Sequence, residues 1–144
     1  MMRVVLDANV FVSAALKPNS KQARIIDLVK AGRVILLLSQ DILDELRKVF
    51  RYPKIRKELL ISVREIDEAL SEIARVAILT PGKMKIRAIQ ADPADNRYLE
   101  CALEGQADFI ISGDRHLTDV DGYQGLKIVD PATFLVFMTE SGEP

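Results

Sequence analysis

Cysteine and histidine are almost absent from this chain, which contains one of each among its 144 residues. Cys101 has no partner for an internal disulfide, and its place in a helical stretch favours a buried thiol over a reactive one. His116 is expected to be a loop residue, because a zinc site needs more cysteine or histidine ligands than this sequence offers. The sequence therefore excludes disulfide-stabilised scaffolds and zinc sites built on these ligands.

Long apolar runs are also missing. Residues 34–38 form one such run, and it is far shorter than the roughly 20 residues that span a bilayer. The first residues lead straight into a predicted strand, without the apolar stretch and cleavage site of a signal peptide. We therefore expect a cytoplasmic protein that makes no contact with a membrane.

The composition that remains is that of an ordinary globular protein. Hydrophobic residues make up 49% of the chain and charged residues 28%, which are common values for soluble domains. No linker, internal repeat or low-complexity segment divides the sequence. We predict a single domain over residues 1–140, followed by a flexible tail at residues 141–144.

The net charge of −1 hides a strong asymmetry between a basic and an acidic part of the chain. Residues 1–57 carry twelve Lys/Arg and five Asp/Glu, whereas residues 58–144 carry eight and sixteen. Within residues 47–57, six basic residues alternate with two aromatic ones, a composition that can neutralise phosphates and stack on bases. The alternative is a solvated helix end and loop. Phe50 is expected in the core, so the candidate RNA-binding residues are Arg47, Lys48, Arg51, Tyr52 and Lys54.

Short apolar runs alternate with stretches of helical period, which predicts an α/β fold. The candidate strands are residues 3–7, 34–38, 75–79, 108–112 and 127–129. Continuous apolar runs of this kind are typical of parallel strands that are buried on both faces.

Helix boundaries are marked by capping residues. Ser20 and Ser39 each precede a helical pattern, and Ser62 begins a capping box. Asp92 and Asp130 are predicted N-caps because each is followed by proline, and Gly105 is predicted to end the helix that starts near Asp92.

Four carboxylates lie where such a fold brings side chains together. Asp7 and Asp114 follow predicted strands, Glu45 lies on the helix after the second strand, and Asp95 opens a later helix. Ligands of parallel α/β sheets bind at the carboxyl ends of the strands, where the strand order reverses. Four acids at this place predict a hard divalent cation bound through oxygen.

Three of these acids, and the nearby Asp92, also have a structural explanation. Asp7 can cap the next helix, and Asp92 and Asp95 can stabilise a helix N-terminus. Glu45 lies about 60° from Ile42, at the edge of the apolar stripe, and can pair with Lys48 or Arg47 instead.

These residues also resemble a known family. Residues 5–10 (VLDANV), the glutamate on the helix after the second strand, residues 92–96 (DPADN) and residues 110–114 (IISGD) are similar to the motifs of the PIN-domain family, in its VapC-like toxin subgroup. The resemblance covers residues 4–137. It implies a three-layer α/β/α sandwich with a central five-stranded parallel sheet.

The resemblance further implies a ribonuclease that depends on Mg²⁺ or Mn²⁺ and cuts single-stranded RNA. As a toxin component it is expected to have a small antitoxin protein as partner and to form a homodimer. The implied catalytic and metal-binding residues are Asp7, Glu45, Asp95 and Asp114. The implied supporting residues are Asn9, Ser112 and Asp92.

Two other functions remain open. One is a PIN module that binds RNA or protein and has little or no catalytic activity. The other is a phosphatase similar to the haloacid-dehalogenase enzymes, with Asp7 as nucleophile. Those enzymes have a general-acid aspartate two positions after the nucleophile, and Asn9 occupies that position here.

Overall fold

The computed structural model of the protein describes residues 1–90 and 92–140, so the predicted tail at residues 141–144 lies outside the described residues. The strands of this part are β1 (Arg3–Leu6), β2 (Ile35–Leu38), β3 (Ile78–Leu79), β4 (Phe109–Ile111) and β5 (Ile128–Val129). The α-helices are α1 (Ala8–Leu16), α2 (Lys21–Lys30), α3 (Gln40–Phe50), α4 (Pro53–Leu59), α5 (Val63–Val76), α6 (Asn96–Gly105), α7 (Arg115–Thr118) and α8 (Pro131–Glu140). Two 3₁₀ turns lie at Pro93–Asp95 and Tyr123–Gly125.

The strands form one parallel sheet in the order β3-β2-β1-β4-β5. The chain builds outward from β1 through β2 to β3, and then returns to place β4 on the other side of β1. The strand order therefore reverses between β1 and β4, and this is where a cleft forms at the carboxyl ends of the strands.

Helices cover both faces of this sheet, as predicted for a three-layer α/β/α sandwich. Val4, Val5 and Leu6 are all 0% exposed, although successive side chains of a strand point to opposite faces. Leu36 and Leu37 of β2 are equally buried. Both sides of the central strands therefore belong to the core. Among residues 1–90 and 92–140, no helix combines the length and apolar character needed to cross a membrane.

The predicted N-caps at serine residues are confirmed. The hydroxyls of Ser20, Ser39 and Ser62 accept the backbone N–H three residues later at 3.1–3.2 Å. Ser62 and Glu65 complete the capping box, because the Glu65 carboxylate accepts the N–H of Ser62 at 3.2 Å. Asp130 caps α8 in the same way.

The predicted third strand is wrong over most of its length. Helix α5 continues to Val76, so only Ile78 and Leu79 remain in the strand. These two side chains are 42% and 56% exposed, because β3 is a short edge strand that pairs only with β2. The apolar run did not distinguish the last turn of an amphipathic helix from a buried strand.

Two predicted features around α6 are confirmed only in part. Asp92 is the N-cap residue of the Pro93–Asp95 turn, with proline after it, but its side chain makes no capping hydrogen bond. Helix α6 ends at Gly105 as predicted, but the left-handed residue that terminates it is the next one, Gln106 (φ 56°). A Cβ atom at Gly105 would lie 2.6 Å from Cδ1 of Leu37. Glycine at this position therefore permits close packing of α6 on β2.

Candidate active site

Two central strands bring Asp7 and Ser112 together at the strand-order reversal. Asp7 directly follows β1 and Ser112 directly follows β4. The register pairs Leu6 with Ile111, and the Asp7 N–H donates to the Ile111 carbonyl at 3.3 Å. The carboxyl ends of these strands thus place both polar side chains in one buried region.

Asp7, Ser112 and Asp114 form a hydrogen-bonded group. The Ser112 hydroxyl donates to Oδ2 of Asp7 and accepts the N–H of Asp114, the latter at 2.9 Å. Asp7 is 3% exposed and Ser112 is fully buried. Oδ1 of Asp7 also accepts the Val10 N–H at 3.1 Å, so the same carboxylate caps α1. The structural explanation of Asp7 thus holds alongside any functional one.

Burial raises the pKa of Asp7 and the negative charge of Asp114 adds to that effect, whereas hydrogen bonds from Ser112 and Val10 act in the opposite direction. An ionised carboxylate in a buried site needs such donors or a cation to offset the lost hydration.

Asp95 lies in the 3₁₀ turn before α6 and interacts with the same acids. Burial raises its pKa to about 6, and the negative charges of Asp92, Asp114 and Asp7 contribute, while His116 lowers it. Its Oδ2 atom is buried and has no hydrogen-bond partner among the described residues. A buried oxygen without a donor fits a site that receives a proton or a cation.

One group in the described part of the chain has the spacing of a metal site. Ligand atoms of Asp92, Asp95 and His116 all lie within 4.8 Å of one another. The sequence placed Asp92 among the supporting residues and gave His116 no functional role. The donors offered are carboxylate oxygens and an imidazole nitrogen, which suit a divalent cation.

Glu45 has a partner that the sequence did not predict. Its Oε2 accepts from Nη1 of Arg97 at 3.1 Å, with both side chains largely buried. Arg97 also donates to the carbonyls of Asp41 and Ala94. The alternative partners Lys48 and Arg47 were wrong, because α6 packs against α3 and brings in a residue from a distant part of the chain.

Tyr98 connects the Glu45 side of the cleft with the Asp7 side. Burial raises the pKa of Tyr98 above its usual range, and the charges of Asp7 and Glu45 add to the shift. Its hydroxyl oxygen accepts the N–H of Ala8 at 3.1 Å. Both carboxylates therefore act on one buried phenol, although Glu45 is held by Arg97.

Asn96 is a second residue whose role the sequence did not reveal. It is 5% exposed, and its side chain bonds to the N–H and carbonyl of Ile89 and to the carbonyl of Pro93 at 2.9–3.0 Å. These bonds fix the loop before Asp92 against the start of α6. The signal available in the sequence was an asparagine directly after Asp95.

The remaining predicted support, Asn9, and the neighbouring turn at Gly113 are less constrained. Asn9 is exposed at the start of α1. A Cβ atom at Gly113 would meet nothing within 4 Å and its φ is not positive. The turn between Ser112 and Asp114 therefore does not require glycine.

The basic segment at residues 47–57 is not the helix end and loop that the alternative described, because its second half forms α4. Arg51 makes two contacts of 3.0–3.1 Å with the Asp67 carboxylate, and Arg47 lies 3.5 Å from Asp44. Lys48, Tyr52 and Lys54 are exposed, and Phe50 is buried as predicted.

An apolar groove of about 660 Å³ lies elsewhere, between α1, α2, α4 and α5. Phe11, Ile26, Leu59 and Ile73 contribute to its walls. It contains none of the predicted catalytic residues. We therefore locate the candidate chemistry at the acids and not in this cavity.

Comparisons with known proteins agree with this geometry. A family model described as PIN domain matches residues 3–116. A Methanocaldococcus jannaschii protein named "Uncharacterized protein MJ1680" is 31% identical over 128 residues, which are 88% of this chain and 81% of that protein.

Two solved structures share the fold at low sequence identity. PAE2754 from Pyrobaculum aerophilum has a TM-score of 0.60 and 14% identity, covering 96% of this chain and 90% of that one. VapBC2 from Rickettsia felis, bound to a DNA fragment from its promoter, has a TM-score of 0.55 and 13% identity. The match covers 90% of this chain and 98% of that one.

Proposed function

We propose, on the premise that this chain belongs to the PIN-domain family, that it is a divalent-metal-dependent endoribonuclease acting on single-stranded RNA. PIN domains are in general nucleases. The observation that carries the proposal is the mutual interaction of Asp7, Asp95 and Asp114 at the strand-order reversal. One oxygen of Asp95 is buried there and has no hydrogen-bond partner among the residues that the structure describes.

The donor set fits Mg²⁺ or Mn²⁺, because these ions prefer carboxylate oxygens. A bound cation would lower the pKa of a water molecule and would stabilise negative charge on the phosphodiester. The residues that would hold it are Asp7, Glu45, Asp95 and Asp114, with Asp92 beside them.

The chain's own residues orient these ligands. Ser112 fixes the Asp7 carboxylate by donating to it, and Arg97 fixes the carboxylate of Glu45. The carboxylates of this group repel one another. A bound cation offsets that repulsion, so the group favours positive charge.

Substrate attraction must come from outside the acidic group, since carboxylates repel phosphates. Arg47 and Lys48 lie on α3 just beyond Glu45, and Arg51, Tyr52 and Lys54 follow. Because Asp67 already pairs with Arg51, we expect the exposed lysines to supply much of the attraction. Tyr52 is 44% exposed and offers a ring for base stacking.

We also propose a biological setting. The protein acts in the cytoplasm as a homodimer and as the toxin component of a toxin–antitoxin pair. The similarity in fold to VapBC2 supports this proposal. Co-expression with the product of an adjacent small gene, followed by co-purification, tests the partner. The molar mass in solution tests the dimer.

The test of the activity is a cleavage assay on a single-stranded RNA with Mg²⁺, Mn²⁺ or EDTA. Asp7→Asn is expected to reduce metal-dependent cleavage at least ~100-fold, which is the effect of several kcal/mol of lost transition-state stabilisation. Asparagine can still cap α1, so the fold is retained and is checked by circular dichroism. Asp27→Asn, an exposed acid on α2, is the matched control. Undiminished cleavage by Asp7→Asn contradicts the assignment.

One observation favours a second candidate, a module that binds RNA without cutting it. Glu45 is occupied by Arg97, and this ion pair competes with metal binding at Glu45. RNA binding without cleavage in either metal supports the module. Release of inorganic phosphate from small phosphomonoesters, without RNA cleavage, supports the phosphatase.

A further inference from the structure

The single histidine of the chain lies beside two of the acids. Ligand atoms of Asp92, Asp95 and His116 are within 4.8 Å of one another. Two oxygens on opposite sides of Mg²⁺ are about 4.2 Å apart, given bond lengths of about 2.1 Å. Neighbouring ligands of the same ion are about 3.0 Å apart, so a trio whose separations are at most 4.8 Å can close on one ion through small side-chain movements.

The fold directs His116 to this place without using its ring for structure. Its backbone N–H donates to Oδ1 of Asp114 at 2.8 Å, which fixes the residue at the start of α7. The imidazole Nδ1 lies 3.8 Å from the same oxygen, too far for a hydrogen bond. Within residues 1–90 and 92–140 the ring makes no hydrogen bond, and the side chain is 46% exposed.

A second observation points to a cation at this place. Oδ2 of Asp95 is buried and lacks any donor in the described part of the chain. A carboxylate oxygen that has lost water is stabilised by a hydrogen-bond donor, a proton or a cation. Asp95 belongs to the trio that includes His116, so a bound cation can satisfy its oxygen and the imidazole together.

We infer that His116 supplies a nitrogen ligand to the divalent cation held by Asp92 and Asp95, and that it makes the site favour Mn²⁺ over Mg²⁺. The inference rests on the proposed function insofar as the cation is the same one. Mg²⁺ and Mn²⁺ both bind carboxylate oxygens, but Mn²⁺, as a transition-metal ion, accepts an imidazole nitrogen more readily than Mg²⁺ does. One nitrogen among carboxylates therefore shifts the preference without excluding Mg²⁺.

The test is direct detection of nitrogen on bound Mn²⁺. Tag-free full-length protein is loaded with Mn²⁺ and examined by pulsed electron paramagnetic resonance for ¹⁴N coupling of an imidazole. Since the chain has one histidine, a histidine signal identifies His116. We expect the signal in the wild type and its loss in His116→Gln.

Binding constants provide the second readout. We expect His116→Gln to weaken Mn²⁺ binding roughly 10-fold, while Mg²⁺ binding changes less than about twofold. Both are measured by calorimetry in the same buffer, at the same pH and ionic strength. Arg115→Gln, the neighbouring exposed residue, is the control and is expected to leave the ratio of the two constants unchanged.

The possible failures are distinguishable. Bound Mn²⁺ without imidazole coupling in the wild type overturns the role of His116 and leaves the proposed nuclease intact. If His116→Gln weakens the binding of Mn²⁺ and Mg²⁺ equally, the role of His116 is also overturned, because a general structural effect is then responsible. If the wild type binds neither metal, the proposed metal-dependent function fails together with this inference. The wild-type spectrum decides the question even if the variant does not fold.

Discussion

Asp95→Asn is expected to stabilise the metal-free protein. The pKa of Asp95 rises from its usual 3.8 to about 6 because of burial and the charges of Asp92, Asp114 and Asp7. Each pKa unit corresponds to about 1.36 kcal/mol, so ionised Asp95 costs at most ~3 kcal/mol of folding free energy. Solvent screening of this partly exposed group reduces the figure to about 1–2 kcal/mol. An asparagine has no charge and can donate to the neighbouring carboxylates.

The pH dependence follows from the direction of the pKa shift. Below about pH 4 the Asp95 carboxyl is protonated in both the folded and the unfolded state, so it imposes no penalty. Between about pH 4 and 6 the unfolded state loses the proton first, and stability falls as pH rises. Above pH 6 the penalty is complete. The advantage of Asp95→Asn should therefore grow from near zero at pH 4 to its full value at pH 7.5.

Urea unfolding in EDTA, followed by circular dichroism at several pH values, measures this difference. Asp27→Asn is again the control, since Asp27 is an exposed aspartate on α2. Saturating Mn²⁺ is expected to reverse the order, because the wild type gains more from the cation. A variant that is no more stable than the wild type at pH 7.5 in EDTA refutes the reasoning.

Three further changes probe packing, the loop before Asp92 and substrate binding. Gly105→Ala should lower the free energy of unfolding by about 1–3 kcal/mol, because its new Cβ meets a leucine methyl at 2.6 Å. Urea titration measures this change. The control is Gly113→Ala, where a Cβ meets nothing within 4 Å and the free energy of unfolding should change little. Asn96→Ala should cost about 2–4 kcal/mol in the same titration, since buried backbone groups lose their partners; a loss below ~0.5 kcal/mol contradicts the role of this amide. Arg51→Ala combined with Lys54→Ala should weaken RNA binding and flatten its salt dependence in fluorescence anisotropy, with metal binding unchanged; an unaltered salt slope means that the patch is solvated surface or serves a protein partner.

Local signals determined much of the secondary structure in advance. A serine before an apolar pattern can satisfy an N–H at the helix start with its own side chain, so three helix starts were readable from a few neighbouring residues. The strand preceding Asp7 was readable for a similar reason, since an apolar run that ends in an acid marks where a buried strand stops.

Signals that depend on the rest of the fold were misread. The apolar pattern of residues 75–79 was compatible with a helix end or a strand, and packing of α5 decided for the helix. Gly105 was assigned to helix termination and is the last residue of α6, but the close approach of β2 is the reason that a glycine is needed there. The sequence around a glycine does not show which distant residue will pack against it.

The sequence by itself determined which acids lie at strand and helix ends, because those ends are set by short-range patterns. Only the tertiary structure decided which of these side chains come into contact. The return of β4 beside β1 joins Asp7 to Ser112 across 105 residues, and the packing of α6 on α3 pairs Glu45 with Arg97 across 52. It also brings His116 to Asp95. Such pairs depend on strand order and helix packing, which are determined by burial of the whole core. The spacing of neighbouring residues in the sequence therefore does not indicate them.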